Sequence, residues 1–532
     1  DTPAATSTSV VAATQTQTPS DPDADRYGGN LRIVSQASIT TLDPLWSLAY
    51  VPVAVATHIY DTPFGWDSTL NPQPRMVGSW SVSSDAKTYT FVLRDGLRFH
   101  DDTPVTAEDV AVSLTRWISS AGPHASFARN FAADPAFRAK DANTFEFVLT
   151  EGYGAVLSNL GSPDQPPVIM PKAIASVTFT TEVTDQTGSG PYKFSKWDHG
   201  HQVILERFDG YVARSEPTDY FSGATTPYFD QLIWLEIPDE ETKVAGLETG
   251  EWDVLDGAGL DFYNRLNSNP DIGVQLYKPG HRTNIILNPN IAPFGNPESE
   301  APAGQRLTAQ AIAGRQAVAT GINVADVMAS LGPSDLWTVC AAIYYCGTPL
   351  ESDAGAEYYN RNDKARAREF MNASGYDGET IVLLNPTDYA TITPTGFVIK
   401  QELEQIGFTV DMPANDWATV VTTFTTKTDN WNALASWTVH WCCGDPISDE
   451  AAAADTNFWP KIPGVQELRI AWAKETDPEK KMALLDELQI KLYEQVEIAY
   501  LGIFYSLYPH RADLQNYHVK AFPYFAGTWI EK

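Results

Sequence analysis

The sequence predicts an α/β protein built from more than one domain, and three observations carry that reading. The chain has 532 residues, too many for one ordinary domain and enough for two or three. Apolar residues make up 43% of it, which supplies a large core. Between about Arg282 and Glu497, helix-period and strand-period segments alternate as βαβ units do.

The chain opens with DTPAATSTSVVAATQTQTPSDPDADRYGG, dominated by Thr, Ala, Ser, Pro and Asp. It holds almost nothing to bury and reads as a disordered tether over 1–26. No basic segment leads into an apolar one, so any signal peptide is expected to be gone already. A polar leader of this kind suits a lipid-anchored or secreted protein. Order is expected from GGNLRIVSQASITTLDPLW, where Leu31, Ile33 and Ser35 alternate with Arg32 and Val34 as a short strand. The chain then breaks into a Ser/Thr-rich loop ending at Asp43 and Pro44. VPVAVATHIYDTPFGW reads as a helix followed by a turn. In TYTFVLR, Tyr89, Phe91 and Leu93 share one face of a strand, and RDGLRFHDDTP gives a turn and a further short strand. Thr106 is placed to cap the helix AEDVAVSLTRW, with Asp109 in the reciprocal position three residues on.

Composition excludes several classes. The net charge is −31, from 67 acidic and 36 basic residues, and such a surface repels nucleic acid and anionic lipid. No stretch reaches the roughly 18 uninterrupted apolar residues of a membrane helix. The four cysteines form two close pairs, Cys340 with Cys346 and Cys442 with Cys443, which fits an oxidising compartment. No CxxC pair or Cys/His ladder has zinc spacing, so neither a structural metal nor a cofactor is expected. There is no GxSxG elbow, HExxH or P-loop, and GSGPY lacks the further glycine of a dinucleotide fingerprint. A secreted hydrolase is the alternative from a different class, since the 15 tryptophans would suit sugar stacking.

One long segment is more specific. SWSVSSDAKTYTFVLRDGLRFHDDTPVTAEDV resembles the hallmark of the large extracytoplasmic solute-binding proteins of ABC importers, family 5, which includes dipeptide-, oligopeptide-, nickel- and haem-binding members. It carries a tryptophan, a Ser-x-Asp-x-x-x-Tyr-x-Phe strand, Leu-Arg-x-Gly, Phe-His-Asp and Pro-Val-Thr-Ala-Glu-Asp-Val. Asp102 departs from the family by standing where glycine is usual. GSGPYKFSKWDHGHQVILERFDGYV, LNPNIAPFGNP with RLTAQAIAGRQAVATGINVADVM, NDKARAREFMNASGYDG and IKQELEQIGFTVDM resemble further family segments, so the likeness runs from about Gly28 to Lys532.

The resemblance implies a two-lobed fold of the type II periplasmic-binding-protein form, closing on its ligand at a hinge. The first lobe would be discontinuous (27–59, 188–281 and 498–532), with a smaller α/β domain, 60–187, inserted into it and a second lobe over 282–497. It also favours a disulfide between Cys340 and Cys346 at CGTPL, and AAIYY between them is long enough to close a loop. A vicinal disulfide between Cys442 and Cys443 is expected on the oxidising compartment and a loop setting.

In the family, the segment corresponding to SWTVHWCCGDPISDE lines the cleft, with a tryptophan as one wall and, in peptide binders, an aspartate about three residues beyond it pairing with the peptide amine. Here His440 stands three residues after Trp437, and Gly444 three after Trp441, with Asp445 next. Either the acid is shifted by one or a histidine takes the amine-binding position. Trp437, His440, Trp441 and Asp445 are therefore candidate ligand residues. Their competing readings are core tryptophans, a hydrogen-bonded structural histidine and a turn cap before Pro446. A metal held by His440, Cys442, Cys443 and Asp445 is disfavoured, because adjacent side chains of an extended segment point apart. Ser38 and Thr40, after the first strand, can donate and accept hydrogen bonds. Arg282, beside the expected hinge, has the planar fork that suits a carboxylate, or else makes a hinge salt bridge. Trp417 lies near the cleft or in the core. The expected function is capture of a short peptide or similar small polar solute by a monomer outside the cytoplasm, periplasmic or lipid-anchored at the cell surface, and its delivery to an ABC permease. An oligosaccharide, glycoside, metal or haem ligand in the same fold is the alternative.

Overall fold

The computed structural model describes residues 23–46, 50–120, 122–163, 165–296, 307–389, 392–426, 430–439, 444–449, 460–519 and 522–531. The described residues begin inside the segment expected to be a tether. Residues Ala24–Arg26 form a short 3-10 turn, and Arg26 stacks 4.1 Å over the Trp529 ring while pairing with Asp23 at 2.9 Å.

Strand Asn30–Val34 forms where the apolar alternation places it, and Leu31 and Ile33 are fully buried. It lies parallel to Gln231–Leu235 and Val254–Leu255 in a first sheet of seven strands. Antiparallel strands extend that sheet: Gln202–Arg207 and Tyr192–Asp198 on one side, Leu507–Arg511 and Ile272–Leu276 on the other. Helix Tyr50–Ile59 packs into the same core, and a short strand, Phe64–Trp66, replaces the turn expected after it.

A four-stranded sheet, Val77–Val82, Thr88–Leu93, Thr144–Leu149 and Ala132–Ala139, forms the inserted region. Tyr89, Phe91 and Leu93 turn to its buried face, as their spacing requires. Helix Ala107–Ile118 starts at a complete capping box: the Thr106 hydroxyl accepts from the Asp109 amide, and the Thr106 amide donates to Asp109 Oδ2 at 2.9 Å. Asp102 has φ of +67°, the left-handed region that glycine enters without a steric cost. The departure from the family pattern thus falls on a turn whose backbone is that of a glycine. This region shares a core with helices Val465–Lys474 and Pro478–Gln495 through Phe131, Trp472 and Leu488, and Lys474 pairs with Glu151 at 2.8 Å.

The second sheet runs Trp337–Thr338, Ala499–Phe504, His281–Leu287, Ala433–Val439, Thr380–Pro386 and Thr409–Asp411, with Ala414–Asn415 also on Thr380–Pro386. The parallel neighbours Thr380–Pro386 and Ala433–Val439 and the intervening helices Thr393–Ile406 and Trp417–Thr426 are the alternation seen in the sequence. Strand Ala499–Phe504 belongs to this sheet and not the first, so the chain returns one strand later than the boundary expected after 497. Apolar alternation marks a strand but does not say which sheet receives it.

The chain passes between the two sheets at 277–280 and at 505–506. The two passages run side by side, tied by the Tyr277 amide donating to the Ser506 carbonyl at 3.0 Å. Gly280 permits that approach, because a side chain there would meet the Phe504 carbonyl at 2.5 Å.

Cys340 and Cys346 are disulfide-bonded with Cα atoms 6.0 Å apart. Cys340 packs with Ala342, Tyr345 and Ile503 under the second sheet. A Cys340→Ser/Cys346→Ser double variant is expected to lose about 2 kcal/mol by the chain-entropy account of so small a loop. Urea unfolding of parent and variant measures it. The pair Cys442 and Cys443, for which a vicinal bridge is expected, lies outside the described residues.

Candidate ligand cleft

The topology decides which edges face each other. In the first sheet, the carboxyl ends Val34 and Leu255 lie at the same edge as Leu276 and Leu507, where the chain leaves for the second sheet. In the second sheet, the edge reached by that crossing holds His281, Phe504 and Val439. Thr380–Pro386 runs parallel to Ala433–Val439, so its carboxyl end opens at this edge too. Ligand crevices in open α/β sheets lie outside the carboxyl ends of strands.

On the second-sheet side the edge is aromatic. Trp437 sits opposite Thr283 in the register and half-buried, with its ring 4.9 Å from His281 and 6.0 Å from Phe504. Tyr389, just past Thr380–Pro386, lies 6.4 Å from Trp437 and 5.0 Å from Trp417, the first residue of helix Trp417–Thr426. Asp388 holds that helix start by accepting from the Trp417 amide at 2.8 Å. Trp417, Tyr389 and Trp437 thus form one row of rings resting on the second core.

On the first-sheet side the edge is polar. Asp256 follows Val254–Leu255, and its amide donates to the Val34 carbonyl at 2.8 Å. The Tyr50 hydroxyl donates to Asp256 Oδ1 at 2.8 Å and lies 3.3 Å from the Tyr508 hydroxyl. Burial pushes the Asp256 carboxyl up to about 8, against opposing pulls from the Tyr50 hydrogen bond, the Gln36 backbone and the Lys243 charge. Burial, then the charge of Asp256, pushes the Tyr508 phenol up, and Tyr389 adds to it from across the crevice.

The candidate residues named from the sequence divide. Ser38 and Thr40 are exposed in the loop that leaves the first sheet at its cleft edge. Trp437 and Trp417 come together in the ring row. Arg282 lies on the other face of the sheet: it pairs with Thr438, while Trp437 pairs with Thr283, and neighbouring positions of a strand point to opposite sides. It is 1% exposed, and its guanidinium donates to the Cys340 and Leu501 carbonyls at 3.2 Å each and to the Ala342 carbonyl. Asp445 caps a turn, its Oδ1 accepting from the Ile447 and Ser448 amides at 2.6 and 2.9 Å. His440 and Trp441 lie outside the described residues. Sequence reading missed Tyr50, Asp256, Tyr389 and Tyr508. An Asp-Gly after a two-residue strand reads as a turn, and single tyrosines carry no spacing signal. Among the described residues no group of His, Cys, Asp and Glu is placed to hold a metal ion, and no helix is long and apolar enough to cross a membrane.

Two α/β bodies joined by paired crossings, with a crevice at the strand ends, make the fold of the two-lobed solute-binding proteins. The structure superposes on the periplasmic binding protein DppA of Helicobacter pylori, solved in complex with peptide STSA, with a TM-score of 0.75, 20% identity, and 96% of this chain and 99% of that one covered. Residues 71–450 match the bacterial extracellular solute-binding proteins, family 5, middle region. The probable peptide ABC transporter periplasmic-binding protein y4tO of Sinorhizobium fredii is 30% identical over 488 residues, 87% of each chain. The glutathione-binding protein GsiB of Pectobacterium atrosepticum is 26% identical over 385 residues, 71% of this chain and 68% of its own. The chain belongs to family 5 of the bacterial extracellular solute-binding proteins. It is the extracytoplasmic binding component of an ABC importer.

Proposed function

We propose that the protein captures short peptides, or similarly small polar solutes, between its two lobes and hands them unaltered to the importer's membrane permease. The observation that carries this is the row Trp417, Tyr389 and Trp437, in which Tyr389 lies close enough to Tyr508 on the first sheet to push its phenol up. Flat rings give apolar contact that is tolerant of ligand side chains. Hydroxyls such as Ser38 and Thr40 orient a peptide backbone. The peptide and glutathione ligands in the names of the relatives agree with that division of labour. His440, Trp441 and Asp445 follow Trp437 in the sequence, and their place in the cleft is part of the proposal. So are the lobe division given above, with the return moved to 505–506, and attachment to the cell surface through the N-terminal leader. Ligand drives closure only by the difference in its affinity for the open and closed forms.

Mass spectrometry of small molecules released on denaturing the purified protein tests the reading. Short peptides are expected, and peptides incubated with the protein should be recovered intact. Sugars alone in the released fraction, or cleaved peptides, would overturn it. Trp437→Ala is expected to weaken peptide binding by about 1–3 kcal/mol through lost apolar contact. Titration calorimetry checks this, and unchanged affinity would make Trp437 a core residue.

A further inference from the structure

Three of the buried aspartates among the described residues have arginine counter-charges. Asp43 meets Arg116 at 2.6 Å, Asp61 meets Arg75 at 2.8 Å, and Asp253 meets Arg32 at 3.0 Å and Arg511 at 3.1 Å. Asp256 is fully buried, and among the described residues no arginine or lysine lies in ion-pair contact with it. Its Oδ1 takes the Tyr50 hydroxyl, while its Oδ2 is buried without a hydrogen-bond partner among the described residues. The Tyr517 hydroxyl nearby is likewise buried without a partner. An uncompensated buried carboxylate is costly. An asparagine would keep the Tyr50 bond without that cost.

We infer that Asp256 Oδ2 is the receptor for an ammonium group of the ligand, so that the cleft takes solutes whose cationic end enters the first lobe. The inference rests on the peptide-capture reading and names the end of the peptide that this lobe holds. The place is right for it, because Asp256 ends a strand at the edge that faces the second sheet, one hydroxyl away from Tyr508. The acid expected for this task, Asp445, has an oxygen already committed to two backbone amides. The groups facing Asp256 are Tyr50 from helix Tyr50–Ile59, Tyr508 from strand Leu507–Arg511, Tyr517 from the C-terminal segment, and Lys243 from helix Glu240–Thr249. Lys243 is bound to Glu240 at 2.7 Å. No second carboxylate among these competes for the ligand's ammonium at Oδ2.

The proton balance follows. Free Asp256 is largely a carboxylic acid at neutral pH, since burial pushes it up to about 8. An arriving ammonium pairs with the carboxylate, and the acid's proton leaves to solvent. Affinity for an amine-bearing peptide therefore rises about tenfold per pH unit below neutrality and falls once the peptide amine itself deprotonates, near pH 8.

The test uses a proteolytic digest of casein, one half with its amines acetylated. Each half is dialysed against the full-length protein, and retained peptides are read by mass spectrometry. The parent should retain amine-bearing peptides and release acetylated ones, and Asp256→Asn should bind the same amine-bearing peptides at least tenfold more weakly. Calorimetry on one retained peptide should give the rising pH profile for the parent and a flat one for the variant. The parent profile needs no variant, so a misfolded variant leaves the idea open to refutation. Equal retention of both halves, or a flat parent profile, overturns the inference and leaves peptide capture standing. Retention of no peptide from either half overturns peptide capture, and this inference with it.

Discussion

Arg282→Met is expected to lower the unfolding free energy by about 3–5 kcal/mol, because three buried hydrogen bonds from a charged donor are lost, each contributing about 1.5–3 kcal/mol. The side chain donates to three carbonyls, those of Cys340, Ala342 and Leu501; Ala342 keeps the Tyr345 amide and Leu501 the Tyr359 hydroxyl when it is removed. The three carbonyls come from the disulfide loop and from strand Ala499–Phe504, so one guanidinium ties the loop to the sheet beside the crossing. The Tyr345 and Tyr500 rings lie 5.2 and 5.7 Å from the guanidinium carbon. Arg282→Lys should recover little, since a lysine ammonium lacks the planar fork. Urea unfolding gives the difference. A variant with parental stability and weakened ligand binding would instead restore the ligand-carboxylate role for Arg282.

Asp43→Asn is expected to cost a similar amount, about 3–5 kcal/mol, the usual result of leaving one member of a buried ion pair alone. Asp43 and Arg116 share two contacts, at 3.1 and 2.6 Å, and Asp43 also accepts from the Leu45 and Val183 amides at 3.1 and 2.9 Å. Arg116 stands on the first helix of the inserted region, so the pair pins the loop carrying Ser38 and Thr40 to that region. Adding Arg116→Met should recover part of the loss, because the double variant leaves no buried charge without its partner. Thermal unfolding of the two variants decides it, and a double variant less stable than Asp43→Asn would refute the argument. Faster hydrogen exchange of amides in 35–42 in Asp43→Asn is the local sign that the loop has been released.

Strand Asn30–Val34, the buried face of Tyr89, Phe91 and Leu93, and the Thr106 cap were legible in the sequence, because each depends on contacts within a few residues. The Cys340–Cys346 bridge was legible through the family likeness and a short loop. Asp256 was not legible. Its meaning comes from Tyr50, 206 positions away in sequence, and from the arginines that serve other aspartates and leave this one without a counter-charge.

Local patterning and one long family motif thus determined the α/β class, the two-lobed plan and the use of Trp437 as a candidate wall. Side-chain period and capping act over a few bonds, so sequence carries them directly. Only the tertiary structure decided that Arg282 and Trp437 stand on opposite faces of one sheet, and that Ala499–Phe504 joins the second sheet. Both follow from pairing register between strands far apart in the chain. A shift of one residue in that register exchanges the two faces, and no local pattern encodes it.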